Sequence, residues 1–157
     1  MTEKQKEIIL SLLQEGRVVG NYTKNYLISY KEYLDVADAF TDFCCERKEG
    51  KAQYTTMIEE IIHKDSSAKV FVEVYGYEGE NGGRDKWIYA DTLIILSKLE
   101  DEKLQQVIDM SGDIFPSDFG SLDYGLENKF IIDATGNIIP LMPLIVREHR
   151  VIYFGWD

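Results

Sequence analysis

The sequence has no long apolar run. A helix that crosses a membrane needs about 20 consecutive, mainly apolar residues, and every stretch of that length here contains several charges. The first residues, MTEKQKEIILSLLQEG, mix acids with bases before a short apolar stretch. A signal peptide instead begins with bases, continues with a longer apolar run and ends at a small-residue cleavage site. We therefore expect a cytoplasmic protein that makes no contact with a membrane.

Cysteine and histidine are also scarce, with two residues of each. Cys44 and Cys45 are adjacent, and adjacent cysteines form only a strained disulfide, while His63 and His149 stand alone. A zinc site usually takes Cys or His in closely spaced pairs, which this sequence lacks. We predict two reduced thiols on a helix, with a redox pair or half of a metal site as the alternative. We expect no metal and no cofactor.

Basic residues are outnumbered, since 17 Lys and Arg face 28 Asp and Glu and leave a net charge of −11. The imbalance is concentrated in residues 100–127, where one base, Lys103, stands against eight acids and leaves −7. A field of this sign repels nucleic acid and anionic membranes and accelerates encounter with basic proteins. We therefore predict a positively charged protein partner, and no binding to nucleic acid or membrane. The eight acids are Glu100, Asp101, Glu102, Asp109, Asp113, Asp118, Asp123 and Glu127.

The stretch SGDIFPSDFGSLDYGLE, residues 111–127, holds four of these acids among glycines and aromatics, without Lys or Arg. A calcium loop places oxygen ligands at alternate positions around a central glycine, and the wider spacing here does not fit. The stretch is a solvated loop, in which Ser117 or Asp118 caps a turn after Pro116, or a partner-binding surface, with a metal or catalytic site as the remaining alternative. The predicted partner-binding residues are Asp113, Asp118, Asp123 and Glu127.

No motif for catalysis is present. The glycines of EGENGGRDK, residues 78–86, lack the strand–loop–helix context of a phosphate-binding loop and are predicted to form a hairpin loop. No nucleophile motif accompanies either histidine, and His149 is predicted to be solvated. Asp91 lies within the apolar stretch WIYADTLIIL, where a structural role is predicted and an acid facing a cleft is the alternative. Glu73 is predicted to face solvent, and no residue is assigned to catalysis.

Hydrophobic periodicity predicts helices first and strands later. Apolar residues that recur every three or four positions predict four helices, and Thr55 is a candidate cap for the third. Alternating patterns predict three antiparallel hairpins, with Pro140 and Pro143 at an edge or a bulge. The helices cover residues 3–15, 30–50, 54–64 and 100–110. The first hairpin pairs residues 68–77 with 87–97, and the second pairs residues 129–133 with 138–142. The third covers residues 143–157 and turns near Glu148 and His149.

The order of these elements predicts an α+β fold in a single domain over residues 1–157. N-terminal helices are expected to pack on one face of an antiparallel sheet of about five strands. The sequence specifies no oligomeric state.

The run WIYADTLIILSKLEDEKLQQVIDMSGDIFPSDF and the hairpin FIIDATGNIIPL carry a resemblance. In size, acidity and layout the whole chain resembles the small immunity proteins of bacterial toxin systems, especially those of contact-dependent growth inhibition. The resemblance implies a cytoplasmic protein that binds and blocks one cognate toxin domain, often a basic nuclease. It assigns no role to any particular residue.

Two other functions compete with this expectation: a small enzyme with a dispersed active site, and a regulatory protein-interaction module. A deep pocket with converging polar groups would favour the enzyme. A flat or convex acidic surface would favour a binding protein.

Overall fold

The structure, a computed structural model, describes residues 1–13, 24–80 and 85–157. In this part of the chain it contains four α-helices and nine β-strands. The helices are α1 Glu3–Leu12, α2 Tyr30–Tyr33, α3 Ala52–Lys64 and α4 Asp101–Asp109. The strands are β1 Asn25–Ser29, β2 Thr41–Phe43, β3 Glu46–Arg47, β4 Lys69–Glu80, β5 Asp85–Ser97, β6 Asp118–Ser121, β7 Lys129–Ile132, β8 Ile138–Pro140 and β9 Arg150–Gly155.

The described strands form one mixed sheet. Its main strand order is β3-β2-β5-β4-β1-β7-β8. A branch begins at β5, where β9 also pairs, and β6 pairs with the other edge of β9. β1 is parallel to β7 and β2 is parallel to β5, whereas the other pairs are antiparallel. The α+β class is thus confirmed. The sheet is larger than the predicted antiparallel sheet of about five strands, and α3 and α4 follow or interrupt strands instead of preceding them all.

Three of the predicted helices are present because each has a local signal. Thr2 and Gln5 form a capping box at the start of α1, which ends at Leu12, and residues 14 and 15 of its predicted extent lie outside the described part. α3 matches its prediction, except that Lys51 and not Thr55 occupies the cap position. α4 buries the predicted face and carries acids in its first turn. None of the described helices is long and apolar enough to cross a bilayer.

The sheet is covered on both faces. Val70, Val72 and Val74 of β4 share one core with buried residues of α1, α3 and α4. Phe71, on the opposite face, belongs to a second core with residues of β1, β5, β7 and β9. This second core is covered by loop and 3₁₀ segments, which contribute Leu122, Leu126, Leu141, Leu144 and Ile145.

The predicted helix over residues 30–50 is wrong beyond its first turn. Only Tyr30–Tyr33 is helical, and turns, β2, β3 and a short 3₁₀ helix follow. Asp35 and Asp38 accept hydrogen bonds from the backbone N–H groups of Ala37 and Phe40 at 3.0 and 2.9 Å. Such side-chain bonds offer the backbone an alternative to the helix, so the three- and four-residue spacing of apolar residues does not persist as a helix here.

Lys51 fixes this irregular segment from the inside. Its side chain is fully buried, and its ammonium donates to the carbonyl oxygens of Asp35 and Asp38, each at 2.7 Å, and to Thr41 Oγ1 at 2.6 Å. One buried cation therefore satisfies three acceptors that the non-helical chain exposes towards the core.

The hairpins are confirmed in part. β4 pairs with β5 and β7 with β8, both antiparallel, although residues 81–84 of the first turn lie outside the described part. Pro140 ends β8 at the border of the sheet, as predicted. The third hairpin is wrong, because residues 142–144 form a 3₁₀ helix around Pro143 and only β9 is a strand.

Glu73 does not face solvent. The alternation in β4 places it opposite the valines, as expected, but loops cover that face and leave the residue 9% exposed. Its Oε2 lies 2.5 Å from Nζ of Lys129, which is 7% exposed. A buried carboxylate needs a partner of this kind, since an unpaired charge in an apolar interior is costly.

Candidate functional site

The four predicted partner-binding acids lie on separate short elements. Asp113 is in a 3₁₀ helix, Asp118 begins β6, Asp123 is in the loop that follows, and Glu127 is in a second 3₁₀ helix. All four are exposed. Within the described ranges no three His, Cys, Asp or Glu side chains are arranged to hold a metal ion. The structure thus spreads these carboxylates along a surface and does not gather them into one centre.

Residues 100–127 are here called the acidic segment. Its other four acids lie on or next to α4 and are also exposed. Asp101 forms an ion pair with Arg150, with Oδ1 and Nη1 3.0 Å apart. Asp109 accepts a hydrogen bond from the Gln105 amide at 2.8 Å. Within the described residues, Asp101 is the one acid of the eight with an ion pair, so most of the negative charge is uncompensated locally.

Large apolar side chains stand out from the same segment. Tyr124, Met110 and Phe115 are 81%, 72% and 60% exposed, more than any other large apolar side chain in the described part of the chain. A single exposed apolar residue is ordinary. Here three such side chains lie within a stretch of fifteen residues on an acidic surface. Protein interfaces use this combination of apolar anchors and charge.

The backbone beneath these side chains is held in place. Ile114 O accepts a hydrogen bond from Trp156 Nε1 at 2.8 Å. Leu122 N donates to Val151 O at 2.8 Å, and β6 pairs with β9 between these points. The hydroxyl of Tyr153 donates to Asp118 Oδ2 at 2.6 Å. These bonds hold the surface in one conformation, and a surface of this kind loses little entropy on binding.

A second site arises where two strands share one edge of β5. β2 pairs with residues 88–90 and β9 pairs with residues 92–97, so the two strands approach Asp91 from opposite ends. Cys44 N donates to Ala90 O at 2.9 Å, and Trp156 N donates to Asp91 O at 3.0 Å. A cavity adjoins this junction and is lined by residues next to both strand ends and by residues of β4 and β5.

The cavity has a volume of about 280 Å³ and is here called the β5 cleft. Its described lining combines four carboxyl groups with three aromatic rings and two thiols, and contains no cationic side chain among the residues that the structure describes. The lining residues are Asp42, Cys44, Cys45, Glu78, Trp87, Tyr89, Ala90, Asp91, Trp156 and Asp157.

Asp91 belongs to an irregular point of the sheet. The register of β4 against β5 shifts on either side of Val74, as at a β-bulge. Tyr75 and Asp91 therefore fall outside the one-to-one pairing of the two strands. Asp91 Oδ1 accepts a hydrogen bond from Thr92 Oγ1 at 3.0 Å, and the Tyr75 hydroxyl lies 2.7 Å from that same Oγ1. Burial raises the pKa of Tyr75. Asp91 lines the cleft, and a functional role for this acid, the alternative to a structural one, stays a prediction.

The thiols of the cleft differ from their prediction. Cys44 and Cys45 are free, but they adopt left-handed backbone conformations with φ of 53° and 67° and lie in a turn, not on a helix. Burial, with smaller contributions from Asp91 and Asp42, raises the pKa of Cys44 to about 12. The Cys44 thiol is therefore protonated at neutral pH, and a protonated thiol is a poor nucleophile.

His149 is less solvated than predicted. Its Nε2 lies 2.9 Å from Ser67 Oγ, which donates to Asp65 Oδ1 at 2.6 Å. Burial raises the pKa of Asp65, but hydrogen bonds from Ser67, Ser97 and the Lys98 backbone outweigh it and lower the pKa to about 2. In a Ser–His–Asp triad the histidine lies between the other two residues. Here the serine occupies the middle position, so the group fixes a turn and does not activate a nucleophile.

No protein-family model matches the chain, and no curated protein or solved structure is significantly similar to it. Its function is therefore inferred from its own residues.

Proposed function

We propose that this chain is an immunity protein, which neutralises a cognate basic toxin domain by binding it through the acidic segment. The observation that carries the proposal is the combination of a net charge of −7 over residues 100–127 with the exposed side chains of Met110, Phe115 and Tyr124. The chemistry of the partner follows from charge complementarity, because a positively charged domain matches this surface.

The two components of the surface have different physical roles. The carboxylates attract a basic partner over a distance of about 10 Å at 0.1 M salt and raise the association rate. Apolar and aromatic anchors bury area in the complex and slow dissociation. An immunity protein needs both, since it must capture a toxin quickly and release it slowly.

The same charge distribution limits the proposed partners. An acidic surface repels nucleic acid and anionic lipid, so the proposed protein binds neither, and its proposed location is the cytoplasm. The proposal requires no cofactor and no catalytic residue in this chain.

The alternative of a small enzyme rests on one observation, the converging polar groups of the β5 cleft. Its lining contains neither of the two histidines, and the Cys44 thiol is held in its protonated form. These groups are better suited to binding a ligand than to activating one.

The proposal is tested by co-expressing the chain with a candidate basic toxin domain, taken from the adjacent gene if that gene encodes a large secreted protein with a variable C-terminal domain. Growth should be restored by the wild type and restored less by a variant with Asp113→Asn, Asp118→Asn, Asp123→Asn and Glu127→Gln. A matched control neutralises Glu3, Glu7, Glu49 and Glu59, four exposed acids outside the acidic segment, and should protect as well as the wild type. Unrelieved toxicity with wild-type protein present, together with turnover of a small-molecule substrate by the purified chain, would contradict the proposal.

A further inference from the structure

We infer that the groove between α3 and α4 is the docking site for an amphipathic, positively charged helix of a protein partner. This groove, here called the α3–α4 groove, is a cavity of about 370 Å³. The inference deepens the proposed function and rests on it for the identity of the partner, since the toxin domain supplies the helix. The described residues that line the groove are Gln53, Thr56, Met57, Glu60, Val107, Met110, Ser111 and Ile114.

The two walls of the groove come from separate helical segments. The lining residues of α3 lie at positions i, i+3, i+4 and i+7, counted from Gln53, so they share one face of that helix. The facing wall contains Val107 of α4, Met110 at its C-terminal cap and Ile114 of the 3₁₀ helix that follows. A partner helix packs into a groove of this kind through residues at the same helical spacing.

The floor of the groove is apolar. Met57 and Val107 are 3% and 2% exposed and belong to the core that α3 and α4 share with the sheet. Ile114 is half-buried against the same core, whereas Met110 stands out into solvent. Methionine is unbranched and polarisable, so it adapts its shape to an apolar side chain of a ligand. A ligand that covers Met110 removes its apolar surface from water, which favours binding.

The hydroxyl groups of the walls need no partner from a ligand. Thr56 Oγ1 donates to the carbonyl oxygen of Ala52 at 3.2 Å, and Ser111 Oγ donates to that of Ile108 at 2.6 Å. Because both hydroxyls are hydrogen-bonded within their own segment, an apolar side chain can cover them without leaving a donor unpaired. The Ser111 N–H also donates to Ile108 O, at 3.0 Å, so this wall is ordered and loses little entropy on binding.

The charge around the groove selects a basic partner. Glu60 is exposed in the α3 wall, and the other wall belongs to the acidic segment, where Asp109 and Asp113 are exposed next to lining residues. Two exposed bases, Lys64 and Lys103, lie one helical turn beyond the lining residues of α3 and α4. Lys103 is already included in the net charge of −7 over the acidic segment. The surface around the groove therefore remains negative and attracts lysine and arginine side chains.

The size of the groove fits one segment of a partner. Binding cavities usually range from about 300 to 1,000 Å³, and about 370 Å³ lies at the lower end of that range. An amphipathic helix inserts a few apolar side chains from one face and keeps its polar face in solvent. With lysine and arginine on the polar face, such a helix matches both the apolar floor and the acidic surroundings.

Methionine methyl groups report on the groove directly. The sequence contains four methionines, of which Met57 and Met110 line the groove, whereas Met1 and Met142 do not. We would label these methyl groups isotopically and follow their NMR signals while titrating the full chain with a synthetic peptide of leucine and lysine. The peptide has about 14 residues, or four helical turns, with leucine at every third or fourth position. It should shift the Met57 and Met110 signals saturably and leave those of Met1 and Met142 in place.

Two further peptides of equal length separate the contributions of shape and charge. In one, leucine and lysine alternate, which gives an apolar face to a strand but not to a helix. In the other, glutamate replaces lysine at every position of the helical peptide. Each should bind at least about tenfold more weakly than the basic helical peptide, a difference of about 1.4 kcal/mol.

A substitution that fills the groove locates the site. Thr56→Phe adds a ring at an exposed position of the α3 wall without changing the charge, and it should weaken binding of the basic helical peptide about tenfold. Gln106→Phe adds the same ring at an exposed position of α4 that is not among the lining residues, and it should leave binding unchanged. Thermal unfolding verifies that both variants retain the fold.

The same pair of variants separates this inference from the proposed function. With a candidate basic toxin domain, Thr56→Phe should accelerate dissociation and leave the association rate unchanged, because its charge is that of the wild type. Equal dissociation of the toxin from Thr56→Phe and wild type would overturn the inference and leave the proposed function in place. A toxin domain that the wild type does not bind would contradict the proposed function, while the peptide titration still decides the role of the groove.

The peptide titration has three results that would overturn the inference. The first is a basic helical peptide that leaves the Met57 and Met110 signals unshifted. The second is equal or tighter binding of the alternating or the acidic peptide, which would assign the groove to an extended segment or remove the role of charge. The third is undiminished binding of the basic helical peptide by Thr56→Phe.

Discussion

Glu73 of β4 and Lys129 of β7 form an ion pair across β1, the strand between them. The carboxylate and the ammonium are 2.5 Å apart, on the face of the sheet that loops cover. Both side chains are nearly inaccessible to solvent. Removing one partner from a buried pair leaves an uncompensated charge, whereas replacing both with apolar residues of similar size removes that cost.

From this geometry we predict that Glu73→Met and Lys129→Met each lower the free energy of unfolding by about 3 kcal/mol. The double variant Glu73→Met and Lys129→Met should recover most of that loss. Urea denaturation of the wild type, both single variants and the double variant completes the cycle. Additive losses in the double variant would show that the two side chains act independently.

Replacing Lys51 should be strongly destabilising. Lys51→Met removes one hydrogen bond from each of three buried or half-buried acceptors, and hydrogen bonds to charged groups contribute about 1.5–3 kcal/mol each. We expect a loss of at least about 3 kcal/mol in unfolding free energy. The control, Lys64→Met, changes an exposed lysine at the end of α3, and equal stability losses for the two variants would refute the role assigned to Lys51.

Asp65 predicts an acid-dependent loss of stability. Its pKa is lowered from an ordinary value of about 3.8 to about 2 in the folded protein, so the folded state favours the carboxylate. Its contribution of about 2 kcal/mol is therefore fully present above pH 4 and is lost as the pH falls from about 4 to 2. Unfolding free energy measured across this range should decline less steeply in Asp65→Asn. An identical slope in the variant and the wild type would argue against this assignment.

The two adjacent thiols should react differently. Cys45 is exposed, whereas the Cys44 thiol is half-buried with a pKa of about 12, which leaves on the order of one thiolate in 100,000 at pH 7. Iodoacetamide should therefore modify Cys45 in the native protein and both cysteines after denaturation. Replacing both with Ser or Ala should preserve partner binding, and stoichiometric zinc that disappears with them would contradict a structural role.

The sequence predicted the elements that depend on local patterns. The β4–β5 and β7–β8 hairpins and the inner faces of α3 and α4 follow from side-chain alternation and helical periodicity. Residues 34–50 escaped prediction because their conformation depends on Lys51, which binds acceptors ten to sixteen residues away. Tertiary contacts of this kind override helical spacing.

The two candidate sites likewise differ in how far the sequence alone predicts them. The acidic segment is a property of composition, so counting residues located it. The β5 cleft depends on β2 and β9 meeting at Asp91, although they lie more than a hundred residues apart in the chain. The isolated acid in WIYADTLIIL was its one signal in the sequence, and the positions of Cys44 and Trp156 opposite that acid required the structure.

The most direct test of the central claim is the association rate of the chain with the basic toxin domain proposed as its partner, measured by stopped flow across a range of salt. The variants are the wild type and the protein carrying Asp113→Asn, Asp118→Asn, Asp123→Asn and Glu127→Gln. Electrostatic attraction acts before contact, so the variant should associate more slowly at low salt with a smaller change in dissociation. The wild-type rate should fall towards that of the variant as salt shortens the screening distance. Equal association rates at low salt would contradict the account and leave the acidic segment as a solvated surface without a part in recognition.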